Sequence, residues 1–211
     1  MVLSVPVAKA ISREIFLLID NQTPFKPWPS FNESPIDFCL TMSAPGILAQ
    51  WQAARQVIVV PMGDVQFVTF QQMPAIGTRD LGSCSVVVLA SAYGAILAHI
   101  PPQPARPSAD PMAGDNNVRS IMDRVATLYE RNKTYFPSAD TAVICAWFQG
   151  TVALPDQMNI MVRGLQQMGF QPVIKTYHVP GNRNLPGQGT VIVIGGVNQR
   201  RSQIYVEDRL I

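Results

Sequence analysis

The stretch that decides the fold is TRDLGSCSVVVLASAYGAILAH, residues 78–99. It contains two apolar runs, 85–90 and 95–99, separated by a short Ser-Ala-Tyr-Gly segment. Two strand-like runs joined by so few residues usually form an antiparallel hairpin. Such a hairpin would place Cys84, at the start of the first strand, across from His99, near the end of the second. A thiol beside an imidazole is the minimum requirement for a cysteine nucleophile.

The composition is that of a folded protein with a substantial core. Hydrophobic residues make up 47% of the 211 residues and charged residues only 14%, which excludes a disordered chain. The net charge is +2 and no basic run is present, so a nucleic-acid partner is not expected. The length suits one large domain, or one domain with an extension.

The cysteines and the N-terminus indicate a soluble, cytoplasmic protein. Three widely spaced cysteines are a poor disulfide framework and fit a reducing compartment. With two histidines and no CxxC pair, no zinc site is expected, and no cofactor is implied. Charged residues interrupt the apolar N-terminus, which argues against a secretory signal. The apolar run 15–19 is far shorter than the ~20 residues that span a bilayer, so no stable membrane insertion is expected.

The chain divides into two parts at residues 55 and 56. Residues 1–55 form a helical and proline-rich extension, with a helix predicted at 4–20, a linker or surface strap at 21–43 and a short helix at 45–56. Residues 56–211 form the main domain. There, strands outnumber helices, which is typical of an α+β or layered α/β sandwich with a mixed, largely antiparallel sheet and two main helices.

Periodicity places the elements of the main domain. Helices are predicted at 116–132, with Asp115 or Asn116 as the N-cap, and at 155–168, with Gly169 as the stop. Segments 74–80 and 101–114 are predicted as loops, and 195–198 as a turn. The apolar runs predict strands at 57–60, 65–70, 85–90, 95–99, 141–148, 172–179, 190–194 and 203–206.

Three segments together resemble the chemoreceptor glutamine deamidase family (CheD). They are PMGDV at 61–65, GTRDLGSCSV at 77–86 and the run from Gly94 to His99-Ile-Pro-Pro. Leu81 to Cys84 matches the nucleophile motif of the family, and His99 matches its histidine. Thr78 lies six residues before Cys84, where the family places its third catalytic residue. More loosely, 156–159 and 179–183 resemble later segments of the family.

The resemblance covers roughly Val57 to Ile211 and is dense from Met62 to Pro101. It implies an α/β sandwich around a mixed sheet, as in the catalytic domain of cytotoxic necrotizing toxins. It also implies a cysteine-dependent conversion of glutamine side chains to glutamate. The partner would be a protein that bears an exposed glutamine, with a regulatory protein as a further possible partner. Residues 1–55 have no counterpart in this resemblance.

A mechanism follows from these residue types. Cys84 would attack the carboxamide, His99 would act as acid and base, and Thr78 would orient the imidazole. Gly82 and Ser83 would let the backbone turn sharply, so that amides near Cys84 stabilise the oxyanion. Arg79 is a candidate for binding a substrate carboxylate or for favouring the thiolate, although a solvated surface arginine is the commoner case.

Each residue also has a structural interpretation. A free cysteine is often a small buried hydrophobic residue, and Thr78 has the alternative role of capping a turn. Cys39 and Cys145 lie in apolar contexts and are interpreted as structural, and His178 as a polar strand residue. Two further functional hypotheses stay open. One is a catalytically silent CheD-like binding module, and the other is a related cysteine amidase or transglutaminase.

Overall fold

The computed structural model describes residues 44–182, 184–196 and 201–211. The helix predicted at 4–20, the linker at 21–43 and Cys39 lie outside the described residues. Part of the turn predicted at 195–198 lies outside them as well.

The described residues form three α-helices and eleven strands. The helices are α1 (Ile47–Ala53), α2 (Ala113–Arg131) and α3 (Pro155–Gln167), with a 3-10 turn at Lys133–Tyr135. The strands are β1 (Val57–Val59), β2 (Val65–Thr69), β3 (Ala75–Thr78), β4 (Ser85–Ala90), β5 (Gly94–Ile100), β6 (Asp140–Phe148), β7 (Thr151–Val152), β8 (Val173–His178), β9 (Val191–Ile194), β10 (Gln203–Val206) and β11 (Arg209–Leu210).

The strands form two sheets. The first has the order β1-β3-β9-β10-β11, and the second has the order β2-β5-β4-β6-β7, with β8 also paired to β6. Among the described strands, only the β1–β3 and β6–β8 pairs are parallel. The expectation of a layered α+β protein with largely antiparallel strands is confirmed. The expectation of a single mixed sheet is wrong, because β1, β3 and β9 pair with one another and not with the hairpin.

The two sheets pack face to face between helices. One core cluster joins the inner faces and includes Ile76 and Val193 of the five-stranded sheet with Val86 and Leu97 of the six-stranded sheet. A second cluster packs α2 and α3 on the outer face of the six-stranded sheet. A third packs α1 on the outer face of the five-stranded sheet. Helix α1, which sequence analysis assigned to the extension, is therefore part of this layered body.

Strand β3 corrects the prediction of a loop at 74–80. Ala75–Thr78 is fully buried and runs between β1 and β9. Four residues that include a glycine give almost no periodic signal, so the strand is specified by its neighbours. Gly77 is required for packing: a Cβ there would lie 2.7 Å from Leu48 Cδ1 and 2.8 Å from the Val191 carbonyl oxygen.

The predicted β4–β5 hairpin is confirmed, with a shift of register at its open end. The Ser91 hydroxyl accepts hydrogen bonds from the amides of Tyr93 and Gly94 at 3.0 and 3.2 Å, which fixes the turn. His99 lies opposite Val86 and not opposite Cys84. Cys84 precedes the strand and is therefore a diagonal neighbour of His99.

The predictions of α2 and α3 are confirmed except at the start of α2, and the helix predicted at 45–56 is shorter, at Ile47–Ala53. The N-cap of α2 is Met112, which makes no side-chain capping bond, so the prediction of Asp115 or Asn116 as the cap is wrong. Asp115 instead lies in the first turn of α2, where its charge suits the helix dipole. Gly169 follows α3 with a φ of +89°, as expected of a helix stop. None of the described helices combines the length and apolar character needed to cross a bilayer.

Candidate active site

The site lies between the two sheets, at the end where the hairpin opens. Thr78 ends β3 in one sheet, and His99 lies near the end of β5 in the other. Both follow the alternation that directs Ile76 and Leu97 into the core between the sheets. Cys84 belongs to the same core cluster, together with Val86. All three candidate residues therefore share the space between the sheets.

Thr78 and His99 are in direct contact. Thr78 Oγ1 lies 2.7 Å from His99 Nδ1 and 2.8 Å from the Val60 carbonyl oxygen. Because a hydroxyl has one proton and the carbonyl only accepts, Thr78 donates to Val60 and accepts from the Nδ1–H of His99. This assignment leaves Nε2 of the imidazole without a proton. The hydrogen bonds therefore fix both the ring orientation and the tautomer.

Nε2 of His99 has no hydrogen-bond partner. Among the described residues, it is one of two buried side-chain polar atoms that lack a hydrogen-bond partner. His99 is only 2% exposed, and this burial lowers the pKa of its imidazole. The charge of Asp80 and a hydrogen bond to the Val60 backbone act to raise that pKa, but burial has the larger effect. A buried acceptor without a partner is costly and is often a sign of function. The neutral imidazole is thus held with its basic nitrogen free.

The Met62-Gly63-Asp64 segment holds the backbone of His99. The Gly63 amide donates to the His99 carbonyl oxygen at 2.8 Å, and the His99 amide donates to the Asp64 carbonyl oxygen at 3.0 Å. Arg124 of α2 in turn donates to the Gly63 carbonyl oxygen at 2.9 Å and pairs with the Asp64 carboxylate. The sequence marks this segment through the family resemblance, but no sequence signal points to Arg124.

Cys84 is a buried thiol whose ionisation is opposed by its surroundings. The residue is 6% exposed. Burial raises its pKa, and a hydrogen bond from the Gly82 backbone acts in the lowering direction. No hydrogen bond joins Cys84 to His99 in this structure, because His99 Nε2 has no partner. Diagonal neighbours on one face of a regular antiparallel pair lie about 7–8 Å apart, which places the two residues near each other on this face.

The turn before Cys84 is held by a residue that sequence reasoning missed. Tyr177 of β8 places its hydroxyl 3.1 Å from the Gly82 carbonyl oxygen and 2.5 Å from the Cys84 carbonyl oxygen. The residue is fully buried in the core between the sheets. Tyr177 is the one buried residue of β8, so strand alternation does not predict its position, and no sequence signal connects residue 177 with residues 82–84.

The remaining predicted residues lie around this turn. Ser83 lies within it, and no turn or loop hydrogen bond among the described residues is donated by the amides of Ser83 or Cys84. Arg79 is largely exposed and lies 3.5 Å from the carboxylate of Asp80. Asp80 has a φ of +63°, which reverses the chain after β3. Arg79 therefore points to solvent with a local partner of its own.

A cavity of about 190 Å³ lies beside the turn. Its walls include Asp80 and Gly82 of this turn, together with Pro180, Gln188 and Glu207. Neither Cys84 nor His99 lines it. The Leu81 amide donates to the Gly189 carbonyl oxygen at 3.1 Å, which fastens the turn to another wall residue.

Cys145 and His178, the described residues interpreted as structural, make no hydrogen bond to Thr78, Cys84 or His99. Cys145 is 2% exposed and belongs to the core cluster on the helix side of the six-stranded sheet. His178 ends β8 and lines the cavity beside the turn. The described residues include no cluster of three or more His, Cys, Asp or Glu side chains suited to a metal ion.

No protein-family model matches the chain, and no curated protein is significantly similar to it.

Proposed function

We propose that this protein is a cytoplasmic, CheD-like protein-glutamine deamidase that uses Cys84, His99 and Thr78. The observation that carries the proposal is the hydrogen bond between Thr78 and His99. It leaves Nε2 free on the face of the sheet that carries Cys84. A nucleophile, a base and a third group that orients the base are the parts of a catalytic triad.

The first half of the reaction forms a thioester. His99 Nε2 takes the proton of Cys84, and the sulfur attacks the carbon of the glutamine carboxamide. The tetrahedral intermediate collapses when the imidazolium gives that proton to the leaving nitrogen, so that the C–N bond breaks and ammonia departs. Thr78 stabilises the imidazolium through the Nδ1–H hydrogen bond.

The second half releases glutamate. A water molecule gives a proton to Nε2 as its oxygen attacks the thioester carbon. The C–S bond then breaks, the sulfur recovers a proton from the imidazolium, and the side chain leaves as a carboxylic acid that ionises. Backbone amides of the turn at Ser83 and Cys84 supply donors for the oxyanion in both halves.

The reaction requires a small movement of Cys84. The thiol has to reach Nε2, and the ion pair that forms offsets the burial that raises its pKa. Catalytic hydrogen bonds are often longer or absent without substrate and tighten when it binds. In this mechanism Cys84 also reaches Nε2 transiently in the free protein, and the contact tightens when substrate binds.

The test is detection of the product on proteins. The full-length protein is incubated with a cell extract, and peptides are searched by mass spectrometry for conversion of glutamine to glutamate. A parallel sample contains the Cys84→Ala variant, and a third contains an excess of a labelled primary amine. Conversion by the wild-type protein alone is expected. Incorporation of the amine in its place would assign the chain to transglutamination.

A binding module is the second candidate function. The observation that favours it is the burial of both Cys84 and His99, together with the raised pKa of the thiol. Iodoacetamide labelling separates the two functions, because only the thiolate reacts. Fast labelling of the Cys84 peptide near pH 6 supports the enzyme. Labelling confined to pH values above about 8, with no glutamate formed, would favour the binding module.

A further inference from the structure

Tyr177 reaches the nucleophile turn from β8, two strands away from β4, within the core between the sheets. Its strand, β8, pairs in parallel with β6, and Tyr177 lies opposite Ala146. The single phenolic proton is shared between the carbonyl oxygens of Gly82 and Cys84, at 3.1 and 2.5 Å. The two carbonyls belong to the two ends of a three-residue turn. One side chain therefore fixes the orientation of both peptide groups.

We propose that Tyr177 is a positioning residue for the Cys84 nucleophile and for the oxyanion donor of the turn. This inference rests on the proposed deamidase function. The Tyr177 hydroxyl holds the carbonyls of Gly82 and Cys84 on the inner side of the turn, so that the amide of Ser83 faces away from Tyr177.

The geometry of the peptide bond gives the reason. Each peptide unit is planar, with its carbonyl and the following amide directed oppositely. When Tyr177 binds the Gly82 carbonyl, it therefore fixes the direction of the Ser83 N–H. When it binds the Cys84 carbonyl, it fixes the end of the turn from which the thiol projects. The Gly82 backbone hydrogen bond that acts to lower the Cys84 pKa depends on the same turn.

The chemistry of the phenol suits positioning and not proton transfer. Burial, with added contributions from Cys84, Cys145 and Glu207, raises the pKa of Tyr177 well above the usual range. The hydroxyl therefore keeps its proton at neutral pH and acts as a constant donor. No described contact brings it to His99, so the acid and base steps stay with the imidazole.

The test is Tyr177→Phe, which removes the hydroxyl and keeps the ring. The expected result is a fall in kcat of about tenfold, the effect of losing one hydrogen bond of ordinary strength, with KM within about twofold. The alkylation of Cys84, read on its own peptide by mass spectrometry, is expected to shift to higher pH. Tyr129→Phe is the matched control, because Tyr129 is buried against the helices in the other core cluster. Both readouts should be unchanged in this control.

A second replacement keeps the test decisive if the Phe variant does not fold. Site-specific 3-fluorotyrosine at position 177 keeps the ring and the hydroxyl and makes the phenol a stronger donor. It is expected to move the Cys84 alkylation profile in the opposite direction, to lower pH. An unchanged kcat in Tyr177→Phe, or an unchanged profile in either replacement, would overturn the positioning role.

The alkylation readout separates the two proposals. It needs no substrate, so it reports the environment of Cys84 even if the chain deamidates nothing. A shifted profile without any deamidation by the wild-type protein would reject the proposed function and keep the role of Tyr177 at the thiol. Deamidation by the wild-type protein together with an unaffected Tyr177→Phe variant would support the proposed function and reject the role of Tyr177.

Discussion

The two faces of the six-stranded sheet each carry a buried cysteine, and the comparison shows what distinguishes a candidate nucleophile. Cys84 lies on the inner face and Cys145 on the helix side, at 6% and 2% exposure. Burial raises the pKa of both thiols, that of Cys145 to about 11. Burial alone therefore does not separate them.

Their neighbours differ in kind. Around Cys145 the polar partner is the Ser85 hydroxyl, at 3.7 Å, within an aliphatic core. Around Cys84 there are a backbone hydrogen bond from Gly82, a turn held by Tyr177 and a neutral imidazole with a free nitrogen. The inner face thus places an imidazole with a free nitrogen and a held turn near the thiol, whereas the helix side offers Cys145 the Ser85 hydroxyl as its one polar partner among the described residues.

The largest expected difference comes from exchanging each cysteine for serine. Cys84→Ser should lower deamidation about a thousandfold or more, since the nucleophile is lost. Cys145→Ser should keep the rate within about twofold, because its sulfur takes no part in the reaction. Rates of glutamate formation on one identified substrate peptide measure both. Equal losses of deamidation rate in the two variants would show that Cys84 is no more important to the reaction than Cys145.

The next largest effect is expected from Thr78→Val, which removes the hydrogen bond between Thr78 of the five-stranded sheet and His99 of the six-stranded sheet. Valine keeps the shape but leaves the Val60 carbonyl and the Nδ1–H of His99 without their partner. We expect a cost of about 1–3 kcal/mol in the free energy of unfolding and a kcat lowered about ten- to a hundredfold.

The comparison variant for Thr78 is Ser85→Ala, which removes the weak hydrogen bond to Cys145 on the other face. It should cost less than about 1 kcal/mol and leave kcat unchanged. Urea unfolding and steady-state kinetics supply the values. A catalytic loss in Ser85→Ala as large as that in Thr78→Val would contradict the assignment.

The pH dependence of stability tests the buried imidazole. The pKa of His99 is lowered in the folded protein, so below the ordinary value of about 6.5 the unfolded chain binds this proton more readily. Stability should therefore fall as the pH drops below about 6.5, by no more than ~1.4 kcal/mol per pH unit from this one group. His99→Gln should show a shallower decline between about pH 6.5 and 5 in urea unfolding. Identical slopes for the two proteins would show that His99 is not held neutral.

The smallest effect is expected from Arg124→Gln. Its ion pair with Asp64 is partly exposed, so the free energy of unfolding should change by no more than about 1 kcal/mol. The hydrogen bond to Gly63 supports the segment that holds the His99 backbone, so kcat should fall about two- to fivefold. Lys133→Gln, at an exposed pair with Glu130, is the control and should leave kcat unchanged. A loss in the control equal to that in Arg124→Gln would assign the effect to surface charge.

Local pattern was sufficient for much of the fold. The hairpin of β4 and β5 was predictable because its partners are adjacent in sequence and its turn contains Ser and Gly. Helices α2 and α3 were predictable because an apolar stripe recurs at helical spacing. Strand β3 was not, because its four residues are held by β1 and β9, and β9 lies more than a hundred residues away.

The residue types of the candidate site were determined by the sequence alone. A thiol, an imidazole and a hydroxyl stand at residues 84, 99 and 78, and the alternation of the hairpin places the first two on one face. The tertiary structure decided how these groups meet. The division into two sheets brings Thr78 onto His99, and β8 brings the Tyr177 hydroxyl to the turn. The reason is physical: periodicity reports which face of an element is buried, whereas a hydrogen bond between distant segments depends on how whole sheets pack.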